Sequence, residues 1–117
     1  MKKAIVCDDS RTATFAIQKM LKEAGIEILS SALAVEEFGA LLETVDKPDF
    51  VTMDMVLPDG DGVQACKKLW KKWARLPVIM ITANEVPTEK KVQLPHVINY
   101  IVKPITRKKL NSAIAEI

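Results

Sequence analysis

The sequence of 117 residues has one histidine and two cysteines, and that shortage excludes much chemistry at once. Cys7 and Cys66 stand in separate segments, form no CxxC pair and match no metal-ligand spacing, so they read as buried thiols. His96, the only histidine, reads as a surface loop residue. A zinc centre is therefore not expected. No apolar run approaches the ~18 residues of a membrane span. The apolar stretch after Met1-Lys2-Lys3 is only Ala4-Ile5-Val6-Cys7, too short for a signal peptide, so a cytoplasmic location with no membrane contact is expected. Linkers, low-complexity tracts and internal repeats are lacking too, which leaves one domain over residues 1–117. A chain of this length hides roughly 65% of its extended surface on folding and needs no staple.

What is present is a hydrophobic fraction of 49% and an uneven charge. Residues 1–65 carry six basic and twelve acidic groups; residues 66–109 carry eleven basic and two acidic. Acidic and basic surfaces on different parts of the fold are expected. The lysines have no interleaved aromatics apart from Trp70 and Trp73, which fall at core spacing, so direct nucleic-acid binding is not expected.

Apolar runs alternate with helical patterns. Strands are expected at Ala4–Cys7, Ile26–Leu33, Asp49–Met53, Pro77–Ile81 and Val97–Ile101. Ser10 is placed to cap a helix burying Ala13, Ile17, Met20, Leu21 and Ala24, with Gly25 closing it. A second helix is expected over Val35–Val45. Asp61 caps a third, with Val63, Cys66, Trp70 and Trp73 inward and Lys67, Lys68, Lys71 and Lys72 outward. A last helix from Ile105 buries Leu110, Ala113, Ile114 and Ile117. Residues 84–96 hold two prolines, so a helix there is short, begun near Pro87 and stopped by Pro95. Strands alternating with helices make an α/β fold on a parallel sheet with right-handed crossovers.

In such a sheet the functional crevice lies at the carboxyl ends of the strands. Those ends carry Asp8 and Asp9, Asp54, Thr82, and the run from Tyr100 to Lys103. Any one of these is an ordinary loop cap; all of them on one rim is a site. Like charges ~4 Å apart repel by about 4 kcal/mol at an effective dielectric near 20, so three carboxylates require positive company. Lys103 offsets one charge, and Mg²⁺, a hard cation content with few carboxylates plus water, offsets the rest. Acids, hydroxyl, lysine and Mg²⁺ suit phosphoryl transfer. Asp54, ionised at neutral pH, can attack phosphorus without a general base and become an aspartyl phosphate.

These motifs resemble one family, the CheY-like receiver domain of two-component response regulators. The resemblance rests on Asp8-Asp9-Ser10, on Asp54 with Pro58 and Gly62 four and eight residues later, on Thr82-Ala83, and on Tyr100-Ile101-Val102-Lys103-Pro104, across essentially the whole chain. It implies a flavodoxin-like (βα)5 fold with strand order 2-1-3-4-5. It implies that Asp54 takes a phosphoryl group from the phosphohistidine of a sensor histidine kinase or histidine phosphotransferase. Asp9, Asp54 and the Val56 carbonyl would hold Mg²⁺, with Asp8 acting through water. Lys103 would pair with the phosphoryl group ahead of a cis Lys103–Pro104 bond, while Thr82 and Tyr100 would form the switch. Such a chain catalyses only its own phosphorylation and slow dephosphorylation. It either binds partners directly or is part of a longer DNA-binding regulator or hybrid kinase.

Three other readings stand beside it. A flavin mononucleotide protein on the same topology would meet repulsion between the nucleotide phosphate and Asp8 and Asp9. An aspartyl-phosphate phosphatase wants a second acid two residues after the nucleophile, where Val56 stands. An interaction module that is not phosphorylated needs none of the site residues.

Overall fold

The computed structural model describes all residues, 1–117. Strand β1 (Lys3–Cys7) leads to helix α1 (Arg11–Glu23), β2 (Glu27–Ala32), α2 (Val35–Leu41) and β3 (Phe50–Met53). A two-residue-per-arm hairpin follows, β4 (Val56–Leu57) and β5 (Gly60–Asp61), antiparallel and apart from the main sheet. Then come α3 (Gly62–Lys72), β6 (Val78–Thr82), α4 (Thr88–Lys91), β7 (Val97–Val102) and α5 (Arg107–Ile114). The main sheet has five parallel strands in the order β2-β1-β3-β6-β7. Counting only these strands in chain order, that is the expected 2-1-3-4-5.

The central strands are mostly apolar, Thr52 in β3 and Thr82 at the end of β6 aside, because both sheet faces are covered. Side chains alternate between two cores as the pleat requires. Ala4, Val6, Phe50, Ile79 and Ile81 meet Ile17 and Leu21 of α1 and Leu110 and Ala113 of α5. Ile5, Cys7, Val51, Met53, Val78 and Met80 meet Val35 and Phe38 of α2 and Val63, Cys66 and Leu69 of α3. Burial pushes the Cys66 thiol up to about 12 and Cys7 further up, so both thiols stay protonated at neutral pH.

Local signals start and stop the helices. The Ser10 hydroxyl accepts from the Ala13 N–H at 3.1 Å. Gly25, at φ +81°, ends α1 in the left-handed conformation that glycine adopts without steric cost. Asp61 and Gln64 form a reciprocal capping box on α3. Ala34 gives α2 no cap; Asp59 supplies one from the hairpin, accepting from the Val35 N–H at 2.7 Å and the Glu36 N–H at 3.0 Å.

The structure departs from the sequence pattern in α1, α2 and α3, and agrees with it in α4. Helix α2 stops at Leu41, not Val45, because Glu43 and Thr44 bond three residues back and the Thr44 hydroxyl competes for the Leu41 carbonyl at 3.2 Å. Leu42 and Val45 still pack on the core from this turn. On α3 Leu69 is fully buried with Ala65 and Cys66, whereas Trp70 and Trp73 are half-buried, with Trp70 Nε1 donating to the Leu76 carbonyl at 2.8 Å and Trp73 already outside the helix. On α1 it is Thr14, not Ala24, that is buried. Helix α4 is a single turn after Pro87, short as its prolines require, and buries none of its own side chains.

Candidate functional site

The carboxyl ends of β1, β3, β6 and β7 converge on one rim. Asp8 follows β1 and is 1% exposed; Asp54 follows β3 and is 6% exposed; Asp9 reaches solvent. Asp8, Asp9 and Asp54 each bring a carboxylate oxygen to within 4.8 Å of the other two. The Lys103 ammonium, just beyond β7, lies 2.8 Å from Asp8 Oδ2 and 3.1 Å from Asp54 Oδ2. Thr82 closes β6, buried, and its carbonyl accepts from the Lys103 N–H at 2.7 Å. The hydroxyl-bearing strand end is thus tied to the lysine-bearing one. The Lys103–Pro104 bond is cis.

Backbone groups fix the acids. The Ser10 N–H donates to Asp8 Oδ1 at 2.9 Å, and the Asp54 N–H donates to the Cys7 carbonyl at 2.9 Å. The Val56 N–H, two residues past Asp54, donates to Asp54 Oδ1 at 3.3 Å. Gly62 opens α3 directly against this strand end: a Cβ there would stand 2.8 Å from the Asp54 carbonyl, so only glycine permits the approach.

Burial raises the Asp8 pKa, with the Asp54 charge adding to the rise, against the lowering hydrogen bonds from Lys103 and Ser10. For Lys103, burial works against the charge, but Asp8 and Asp54 outweigh it and the pKa is raised, so the ammonium persists. Asp8 Oδ2 is buried, and the Lys103 ammonium at 2.8 Å is its one partner within the protein. A buried carboxylate oxygen with spare acceptor capacity, beside two further carboxylates and no nitrogen or sulfur ligand, fits a hard divalent cation of the Mg²⁺ kind.

The expected residues divide accordingly. Asp8, Asp9, Asp54 and Lys103 are brought together; Val56 reaches the cluster through its backbone while its side chain is exposed. Tyr100 stands apart, half-buried, its ring 4.7 Å beneath the Lys91 ammonium and joined to no site carboxylate by a hydrogen bond. Thr14 was absent from the sequence reading: its hydroxyl donates to the Asp8 carbonyl at 3.2 Å. A threonine in the first turn of an otherwise apolar helix face was the one available signal. The largest surface cleft, 680 Å³, lies between α2 and α3 and takes in none of these residues. The site lies at the strand ends, outside that cleft, with Asp9 as its solvent-facing acid.

The comparisons with known proteins agree with this geometry. Residues 4–115 match the family model described as response regulator receiver domain. The chemotaxis protein CheY of Treponema pallidum is 33% identical over 120 residues, covering 98% of this chain and 81% of that protein. The alkaline phosphatase synthesis transcriptional regulatory protein PhoP of Bacillus subtilis is 29% identical over 117 residues, and the chain spans 48% of its length. Among solved structures, a CheY-like receiver domain protein from Methanospirillum hungatei superposes with a TM-score of 0.87 at 24% identity, covering 99% of this chain and 92% of that one. The receiver domain of sensor histidine kinase PA1611 from Pseudomonas aeruginosa, solved with magnesium coordinated in its active site cleft, gives 0.82 at 22% identity, covering 98% and 95%. With the family model matched almost end to end and its acids, hydroxyl and lysine on one rim, the chain belongs to the receiver domains of two-component response regulators.

Proposed function

We propose that Asp54 is a phosphoacceptor that takes its phosphoryl group from a phosphohistidine of a sensor histidine kinase or histidine phosphotransferase. The observation that carries the reading is the Asp54 carboxylate 3.1 Å from the Lys103 ammonium, in a cluster of three acids. In the transfer an Asp54 oxygen bonds to phosphorus, the N–P bond to the donor imidazole breaks, and the imidazole keeps that electron pair and takes a proton. Asp9 at the edge of the cluster faces solvent, the side from which a histidine carried on another protein would approach. Lys103 counters the added charge, and the Thr82 hydroxyl donates to a phosphoryl oxygen.

Asp9, Asp54 and the Val56 carbonyl would hold Mg²⁺, with Asp8 acting through water; when bound, the ion supplies charge neutralisation at the phosphoryl oxygens. The chain acts on no other substrate. Its product is a changed surface, with Thr82 and Tyr100 as the switching pair and protein–protein contacts as the readout. The cytoplasm, where kinase and phosphodonor meet, is the compartment this reading requires, and no helix of the chain is long and apolar enough to cross a membrane.

Incubation with phosphoramidate and Mg²⁺ tests the proposal. Wild type takes up one phosphoryl group and Asp54→Asn takes up none; equal labelling of the two overturns the assignment. Millimolar Mg²⁺ raises the wild-type melting temperature, because a ligand bound only by the native state stabilises it. An unchanged melting temperature favours a receiver fold used purely for interaction.

A further inference from the structure

Thr14 sits in the first turn of α1, buried, one of the few polar residues enclosed by the fold. Its N–H closes a helical bond to the Ser10 carbonyl at 2.9 Å. A threonine hydroxyl in a helix ordinarily folds back onto that same carbonyl. Here it reaches past it to the Asp8 carbonyl, six residues back, at 3.2 Å. No backbone N–H donates to that carbonyl, so the Thr14 hydroxyl is its one partner within the protein.

That carbonyl belongs to the peptide joining Asp8 to Asp9, the link between a buried carboxylate and an exposed one. Asp8 has further anchors: its N–H donates to the Ala32 carbonyl at 3.0 Å and its Oδ1 accepts from Ser10. The Asp9 side chain accepts no hydrogen bond, so its direction depends on the backbone that carries it.

We propose that Thr14 is a positioning residue for the metal site: by holding the Asp8–Asp9 peptide, its hydroxyl aims the Asp9 carboxylate at the space shared with Asp8 and Asp54. The inference rests on the reading of that space as a Mg²⁺ site. Valine at this position keeps the branched shape and removes only the donor, leaving the Asp8 carbonyl unpaired.

Hydrogen-bonding partners that orient metal ligands typically carry ten- to hundredfold in metal affinity, and titration calorimetry of the full chain with MgCl₂ should show Thr14→Val weakened about tenfold. Thr14→Ala, which removes the hydroxyl without crowding, falls as far. Thr14→Ser, which keeps the donor and loses a methyl, stays within about twofold of wild type. Melting in EDTA reads folding separately from metal binding: a purely structural role would lower the melting temperature and leave the Mg²⁺ affinity of the folded chain unchanged. Wild-type affinity in Thr14→Val or Thr14→Ala overturns the proposal, as does a loss in Thr14→Ser equal to that in Thr14→Ala. A wild-type chain that binds no Mg²⁺ overturns the parent reading and this one with it, a result distinct from either.

Discussion

The two sides of the rim are built unequally. On the side of β1 and β3, α1 runs for thirteen residues under a serine cap and buries Ile17 and Leu21 completely, and the acids beside it are held by buried hydrogen bonds. On the side of β6 and β7, α4 has four residues and buries none of them; the segment is anchored by Val86 and Leu94 at its flanks. Its own contacts are two lysines, Lys90 3.4 Å from Asp61 and Lys91 over the Tyr100 ring. Surface contacts of these kinds contribute about 1 kcal/mol or less each. The half that bears the three acids is locked by packing, whereas the half that bears Thr82 and Tyr100 adjoins a segment whose local opening exposes little apolar surface.

Substitution on the two sides is the strongest way to break this contrast. Leu21→Ala leaves a cavity under α1 and should cost about 3 kcal/mol in urea unfolding. Val92→Ala, at the end of α4 and 73% exposed, should change stability by less than about 0.5 kcal/mol. Equal costs would erase the distinction. A smaller effect of opposite sign is expected within the rigid half. The Thr52 hydroxyl is buried without a partner, so Thr52→Val should stabilise the fold by about 1 kcal/mol. A net loss would reveal that the hydroxyl is satisfied by an enclosed water.

The third test concerns the start of α2. Hydrogen bonds from the Glu36 and Val35 N–H groups hold the Asp59 carboxyl below its ordinary value of 3.8. A depressed carboxyl pKa contributes stability that is fully present above the unfolded value and is lost as pH falls through the folded one. Asp59→Ala should therefore speed amide exchange at Val35 and Glu36 at neutral pH, and the difference from wild type should vanish once both forms are below the folded Asp59 pKa. A difference that persisted in acid would show the cap to be independent of charge.

What could be read from the sequence was local or periodic. Ser10, Gly25 and Asp61 mark helix ends through groups within three residues of themselves, and apolar runs ending in Asp8, Asp54 and Thr82 mark strands that meet at one edge. The features that escaped depend on approach through space. Asp59 caps a helix that begins twenty-four residues earlier, and no spacing rule joins the two. The Thr14 hydroxyl spends its bond outside its own helix, which no periodicity reports. Apolar spacing overran α2 because Leu42 and Val45 keep packing after the backbone has left the helical path. The indoles of α3 fall at core spacing, yet Trp70 needs an acceptor and finds it at the edge.

The little hairpin beyond Asp54 links these parts. Asp59 grips the start of α2, Asp61 and Gln64 clasp the start of α3, and Asp61 takes the ammonium of Lys90 on α4. Six residues thus serve as the common abutment of three helices. A push on that abutment cannot be absorbed by one helix alone; whatever disturbs it is shared along an entire flank of the molecule.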